Sequence, residues 1–189
     1  FLKVPKALAD QIRQISGFSG FTVGVSQDNT LYIWGSTRNN LSKYDYADFP
    51  AEIQPGKVAF AAAGADHIIA ITTDGKVVGW GNGNNGQYGV VENENDPYIQ
   101  MPDVLLNGTI DPAQVQQLVC GYQCTALVMK DGTMYVWGNR NAQLSLEEMQ
   151  QRFASGVQKV AFGNYYALML RQDGTVTGGQ SLSLQNVSA

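Results

Sequence analysis

The stretch "VVGWGNGNNGQYG", Val77 to Gly89, decides how the chain folds, because it permits two incompatible interpretations. Gly81, Gly83 and Gly86 match the G-x-G-x-x-G pattern of dinucleotide-binding loops. Such a loop must lead from the first strand of a βαβ unit into a helix whose N-terminal amides meet the pyrophosphate. Here the loop leads into "VVENENDP", which has no helical apolar stripe and ends at Pro97. We therefore predict that the glycines serve the geometry of the fold and that no nucleotide cofactor binds.

A longer hairpin pattern, of which this stretch is one part, occurs four times along the chain, with successive turns 46, 57 and 42 residues apart. Each copy has an apolar run, a glycine break, a second apolar run, a two-residue turn and a third run. Asp-Gly and Asp-Asn pairs supply the positive φ angles of tight hairpins. The recurring positions are the turns Asp28, Asp74, Gly75, Asp131, Gly132, Asp173 and Gly174, the strand ends Trp34, Trp80, Gly81, Trp137 and Gly138, the upstream glycines Gly64, Gly121 and Gly163, and the first-run residues Ile12, Val58, Val115 and Val157.

Three short strands per copy, without apolar spacing of three and four, predict an all-β fold. A unit of this size cannot bury a sheet face alone, so the copies are expected to pack as blades of a β-propeller. We predict one domain over residues 1–189, with repeats at approximately 4–50, 51–102, 103–150 and 151–189.

The second copy, "GADHIIAITTDGKVVGWGNGNNGQYG", resembles the repeat of the regulator of chromosome condensation family. That repeat runs Gly, two residues, His, an apolar run, Asp-Gly, a strand, Trp-Gly, Asn and Gly-Gln-Leu-Gly. The matching positions are Gly64, His67, Asp74, Gly75, Trp80, Gly81, Asn84, Gly86, Gln87 and Gly89, with Tyr88 in place of Leu. At the His position the other copies carry Phe21, Cys124 and Tyr166.

The resemblance implies a ring that normally has seven blades, of which four repeats make about half. The chain is therefore expected to be a partial ring or part of a longer polypeptide. Open edge strands invite further pairing, so we expect further blades or another subunit to cover them. The resemblance also implies a binding platform, since such propellers bind other proteins, including β-lactamases that one type inhibits. The founding member promotes guanine-nucleotide exchange on a small GTPase.

Composition excludes several classes of function. The net charge is −4 and no run of Lys or Arg occurs, so general nucleic-acid binding is not expected. No apolar stretch reaches 18 residues, so no membrane span is predicted. No signal-like segment follows Phe1, and the compartment is left open. Cys120 and Cys124 are too few for a disulfide scaffold or a four-ligand zinc site and are expected in the core.

The side chains that could take part in catalysis or ligand binding are predicted to have structural roles. His67 is the single histidine, and space-filling residues occupy its position in the other copies. The turn aspartates are explained by turn chemistry. Tryptophans that recur at the end of a strand indicate core packing rather than a stacking platform. We therefore predict no catalytic, cofactor or metal site and no enzyme activity.

The two connections that do not repeat are the candidate binding surfaces, because tyrosine-rich loops on a rigid scaffold commonly contact partners. The connection at 38–50 and the connection at 92–112 differ in length and composition from the others. Alternating acidic residues at 92–96 lack the glycine and terminal glutamate of a calcium loop, so no metal is predicted. The candidate partner-binding residues are Tyr44, Tyr46, Phe49, Glu92, Glu94, Asp96 and Tyr98.

Three functions are compatible with this sequence. The favoured one is a non-enzymatic module that binds another protein, whose identity is not predicted. The richness in Asn, Gln, Gly and Tyr also fits a structural or adhesive subunit of a larger assembly such as a phage particle. Guanine-nucleotide exchange on a small GTPase rests on fold analogy alone.

Overall fold

The computed structural model describes residues 10–35, 49–83, 86–89, 98–139, 155–163 and 166–178. Within these ranges it has thirteen strands, one short helix α1 at Asp103–Leu106 and a 3-10 helix at Pro112–Gln114. The strands are β1 Ile12–Phe18, β2 Phe21–Ser26, β3 Leu31–Gly35, β4 Val58–Ala63, β5 His67–Thr72, β6 Val77–Gly81, β7 Tyr98–Ile99, β8 Val115–Cys120, β9 Cys124–Met129, β10 Met134–Asn139, β11 Val157–Phe162, β12 Ala167–Arg171 and β13 Val176–Gly178.

The strands form four antiparallel sheets in chain order, which confirms the predicted all-β fold. Sheet 1 is β1-β2-β3, sheet 2 is β4-β5-β6, sheet 3 is β7-β10-β9-β8 and sheet 4 is β11-β12-β13. The first strands of successive sheets contact one another, so β1, β4, β8 and β11 follow each other along one side of the stack. Each sheet therefore packs face to face on its neighbours.

Apolar side chains fill the spaces between the sheets. One core lies between sheets 1 and 2, and the other joins sheets 2, 3 and 4. The middle strand β5 is buried along its whole length because sheets cover both of its faces. Burial on both faces explains why "HIIAIT" shows no polar alternation.

Sheet 3 has a fourth strand that the sequence did not predict. Ile99 pairs with Gly138 and Tyr98 pairs with Asn139, so β7 covers the edge of β10. The segment from β7 to β8 then carries α1 and the 3-10 helix, whose first turn is capped by Asp111 accepting from the Ala113 backbone N–H at 2.9 Å. Part of the connection at 92–112 is therefore structural.

The hairpin turns also attach each sheet to the next. The carbonyl of the second turn residue accepts a backbone N–H from the following repeat in three cases: Asn29 from Val58 at 2.9 Å, Gly75 from Ile110 at 2.9 Å and Gly132 from Val157 at 3.0 Å. These turn residues have positive φ angles of 63°, 88° and 89°. The turn geometry that closes the hairpin thus also places an acceptor against the next sheet.

Gly75 and Gly174 form a matched pair for testing this attachment. Both have φ above +80°, but a Cβ on Gly75 would lie 1.9 Å from the Ile110 oxygen, whereas a Cβ on Gly174 meets no described residue within 4 Å. Backbone strain costs either alanine variant about 1–3 kcal/mol. We expect Gly75→Ala to lose about 1 kcal/mol more, because it also displaces the Ile110 hydrogen bond. Urea unfolding of both variants measures the difference, and equal losses would contradict the attachment.

Candidate functional site

The two ends of the stack differ in what they present. Strand direction alternates within each sheet, so the turn between the first and second strands lies at the end where the third strand finishes. We call this the connection end; the described residues of its turns are 19–20, 64–66, 121–123, 163 and 166. The opposite end carries the four two-residue turns and is called the hairpin end.

The glycine-rich loop at the connection end of sheet 2 contacts sheet 3. Gln87 is fully buried, and its carbonyl accepts hydrogen bonds from the Trp137 indole N–H at 3.0 Å and the Thr125 hydroxyl at 3.3 Å. A Cβ on Gly83 would lie 1.9 Å from the ring of Tyr88, so glycine is needed there for close packing. The loop is therefore a contact between sheets, built from its backbone carbonyl and from glycine's lack of a side chain.

The three tryptophans occupy equivalent places but are buried to different degrees. Trp137 is 0% exposed between sheets 2 and 3, whereas Trp80 and Trp34 are only partly buried. Trp80 packs on Phe49 with ring centroids 5.6 Å apart, on the side of sheet 1. Trp34 lies over Gly24, where a Cβ would come within 2.6 Å of the indole. The burial of each tryptophan thus depends on what packs against its sheet from the preceding repeat. The repeat pattern alone did not show this difference.

His67 is buried between sheets 2 and 3. Its Nε2 lies 3.3 Å from the Thr125 hydroxyl oxygen, and its buried Nδ1 has no hydrogen-bond partner among the described residues. A Cβ on Gly64 would lie 2.0 Å from the ring, so the upstream glycine makes room for it. Burial lowers the pKa of His67 to about 3, which keeps the ring neutral at neutral pH.

The two cysteines are also buried in these contacts. The Cys120 thiol lies 3.6 Å from the Ala62 oxygen of the preceding sheet, and burial raises its pKa to about 12. Burial raises the pKa of Cys124 as well. Both are free thiols, and neither has the accessible thiolate that a nucleophile requires.

Two glutamines bridge neighbouring sheets, and the sequence did not single them out. The Gln14 side-chain oxygen accepts from the Ala61 N–H at 3.2 Å, and the Gln117 oxygen accepts from the Val160 N–H at 2.8 Å. Gln117 also donates to the Val160 carbonyl at 2.9 Å. Each glutamine follows an irregularity at the start of the first strand, which recurs in all four sheets. Such bulges re-aim side chains; the signal in the sequence was glutamine two residues after Ile12 and after Val115.

The turn aspartates are committed to their own turns. Hydrogen bonds lower the pKa of all four carboxyl groups. The main donor is the Ser26 hydroxyl for Asp28, the Thr72 hydroxyl for Asp74, the Thr133 backbone N–H for Asp131 and the Thr175 hydroxyl for Asp173. Within the described ranges, no three His, Cys, Asp or Glu residues come together as a metal site would require. No described helix has the length and apolar character needed to cross a bilayer.

The predicted partner-binding residues fall into two groups. Tyr44, Tyr46, Glu92, Glu94 and Asp96 lie outside the described residues. Of the other two, Phe49 packs on Trp80 at the edge of a core, and its role in partner binding stays a prediction. The backbone of Tyr98 belongs to β7, so this position is part of sheet 3 rather than of a free loop.

One exposed aromatic side chain at the connection end was missed. Tyr122 lies in the turn between β8 and β9 and is 42% exposed. It follows Gly121 directly, a position where the second repeat has Ala65. The repeat alignment could have found it as a large residue replacing a small one in a turn.

Comparisons with known proteins agree with this geometry. The family model of the regulator of chromosome condensation (RCC1) repeat matches residues 58–87, which run from the start of β4 to the buried glutamine. The chain belongs to the RCC repeat family. RCC relatives include the X-linked retinitis pigmentosa GTPase regulator of Canis lupus familiaris, 29% identical over 135 residues, which cover 68% of this chain and 13% of that protein. The regulator of chromosome condensation of Mus musculus is 26% identical over 152 residues, which cover 71% and 36%.

Solved structures have the same fold. Prp20p from Saccharomyces cerevisiae superposes with a TM-score of 0.62 at 18% identity, over 88% of this chain and 44% of that chain. Human WBSCR16 superposes with a TM-score of 0.58 at 19% identity, over 88% and 46%. The chain thus spans less than half of these propellers and about a third or less of the two relatives above. Its four sheets are RCC-like propeller blades that form a partial ring.

We expect Trp137→Ala to destabilise the chain by about 3–5 kcal/mol, as other large truncations in cores do. The variant removes a fully buried indole together with its hydrogen bond to the Gln87 carbonyl. Trp34→Ala is the matched control, because Trp34 occupies the same repeat position but is only partly buried. Chemical unfolding monitored by far-UV circular dichroism compares the two, and an equal or larger loss for Trp34→Ala would contradict the assignment.

Stability should fall on acidification because of His67. Its folded pKa of about 3 lies below the ordinary histidine pKa of 6.5, so the unfolded chain binds the proton first as pH falls below about 6.5. The unfolding free energy then decreases by roughly 1.4 kcal/mol per pH unit well below pH 6.5, until the folded pKa is reached. Asp66 acts in the opposite direction, because burial raises its pKa.

Unfolding between pH 7 and 5 should therefore be compared for the chain and for His67→Gln, which cannot take up this proton. The variant is expected to lose stability at neutral pH but to have a flatter pH profile. Parallel profiles would show that His67 does not control the acid sensitivity.

Proposed function

We propose that the chain is a non-catalytic protein-binding module that contacts its partner through the connection end. The observation that carries this proposal is the difference in burial between the polar or aromatic side chains at the sheet contacts and Tyr122. His67, Gln87 and Trp137 are 0% exposed and occupied in contacts between sheets, while Tyr122 is 42% exposed at the connection end. Buried aromatic and polar groups hold the scaffold together, and exposed tyrosines are enriched at protein interfaces.

We propose that the non-repeating connections add to the same surface. They follow β3 and β6 in the sequence, and both strands finish at the connection end. Tyr44 and Tyr46 in the first connection would supply apolar contact area. The alternating acidic residues at 92, 94 and 96 favour a partner with a basic patch, because opposite charges steer association.

Relatives support a protein partner. The Prp20p structure is described together with its binding to Gsp1p and histones, which are both proteins. The four blades of this chain share that fold at 18% identity, which supports the type of scaffold rather than the partner. The outer faces of sheets 1 and 4 also need cover, from further repeats of the polypeptide or from another subunit.

The partner-binding surface is tested by site-specific photo-cross-linking. A photoreactive residue at position 122 should capture one protein from an extract of the producing cells, identified by mass spectrometry and competed by unmodified chain. A photoreactive residue at Thr73, exposed at the hairpin end, is the control. With the purified partner, Tyr122→Ala should weaken binding about tenfold or more, as loss of an interface tyrosine does. Equal capture at both positions would contradict the proposed surface.

Nucleotide exchange is the competing function, because the names of the relatives include a GTPase regulator. Release of fluorescent GDP from purified Gsp1p separates it from simple binding. We expect the release rate to remain at its intrinsic value when the chain is in excess. A saturable acceleration would make the chain an exchange factor.

A further inference from the structure

Among the described residues, the two most exposed large apolar side chains lie on the two outer faces of the stack. We call the face of sheet 1 away from sheet 2 the first flank, and the face of sheet 4 away from sheet 3 the fourth flank. Ile15 is 69% exposed on the first flank. At the same repeat position in the other sheets, the side chain faces the preceding sheet and is buried: Ala61 at 1%, Leu118 at 5% and Val160 at 2%.

Tyr166 is the counterpart on the fourth flank. It is 52% exposed, although its position in the other repeats faces the following sheet and is buried: Phe21 at 3%, His67 at 0% and Cys124 at 0%. Leu168 and Leu170, which alternate with the buried Ala167 and Met169, continue this partly exposed apolar face. Each flank therefore resembles one side of an internal junction: the first flank has the face that meets a preceding sheet, and the fourth flank has the face that meets a following sheet.

The backbone attachment shows the same division. Gly174 stands where Asn29, Gly75 and Gly132 accept a hydrogen bond from the next repeat, and no described residue comes within 4 Å of its Cβ position. Ile12 stands where Val58 and Val157 donate that hydrogen bond. The fourth flank thus offers the acceptor side of a junction, and the first flank offers the donor side.

We propose that the fourth flank of one copy docks onto the first flank of a second copy, head to tail. The docked sheets continue the packing of the internal junctions, with Ile15 and Trp34 of one copy against Tyr166 and Leu168 of the other. A head-to-tail interface either closes a ring or extends further. This inference specifies the cover proposed above for the outer faces and is independent of binding at the connection end.

Lys159 makes this junction weaker than two of the internal ones. It occupies the repeat position of Gln14 and Gln117, whose side-chain oxygens accept a backbone N–H of the next sheet. An ammonium group has no acceptor, so this bridge is missing. The junction between sheets 2 and 3 also lacks it, because Phe60 occupies the position. Docking is therefore expected to be reversible and dependent on concentration.

Sedimentation velocity of the full chain over a range of concentrations tests the proposal. We expect species of two or more copies, and monomers for both Ile15→Asp and Tyr166→Asp. Leu106→Asp is the matched control, because Leu106 is 42% exposed on α1, away from both flanks. Mixing the two flank variants should restore association, since each retains the flank that the other has lost.

A chain that stays monomeric at all concentrations would overturn the proposal. So would association that survives both flank variants, or a mixture that remains monomeric although both variants are folded by circular dichroism. If an aspartate variant fails to fold, Lys159→Gln decides instead. Restoring the bridge should tighten the dissociation constant about 2- to 10-fold, as one added hydrogen bond does; an equal or weaker constant would overturn the proposal. Loss of cross-linking at Tyr122 would affect only the proposed function.

Discussion

Neighbouring sheets in this protein meet face to face, so their strands cannot share a backbone hydrogen-bond ladder. Buried N–H and C=O groups at each junction must find partners by other means, because leaving them unpaired is costly. The turn carbonyls, the side chains of Gln14 and Gln117 and the indole of Trp137 supply these partners. The position of a residue in the repeat therefore determines its role more strongly than its chemical type.

This constraint explains why the residues that look reactive are inert. One junction position holds Phe21, His67 or Cys124, which differ in chemistry but all fill the space against the next sheet. His67 fills it with a buried Nδ1 that has no partner among the described residues, and burial of the ring lowers its pKa. A buried ring without a converging acid, base or metal ligand is a packing residue that makes its junction sensitive to acid.

The sequence could predict the features that depend on local geometry, which are the hairpins and their repetition. Asp-Gly turns and apolar runs on either side are sufficient to place hairpins, and their period is sufficient to indicate blades. It could not predict β7, because two residues carry no periodicity and their partners at Gly138 and Asn139 are about forty residues away. The bridge from Gln117 also depends on a bulge and on the neighbouring sheet. Trp80 differs from Trp137 because Phe49 packs beside Trp80, whereas Trp137 donates to the Gln87 carbonyl of the glycine-rich loop.

Stability in a stack of repeats is approximately the sum of each unit and its contacts with its neighbours. Sheets 2 and 3 have a neighbour on both faces, and β4 is buried along most of its length, whereas β1 alternates between partly buried and exposed residues. The inner sheets should therefore be the most rigid, with sheet 3 further reinforced by its fourth strand. Tyr122 projects from that sheet, so the exposed aromatic that we assign to partner binding is carried by the most firmly held part of the scaffold. A rigid contact loses less conformational entropy on binding, which favours this site over the outer sheets.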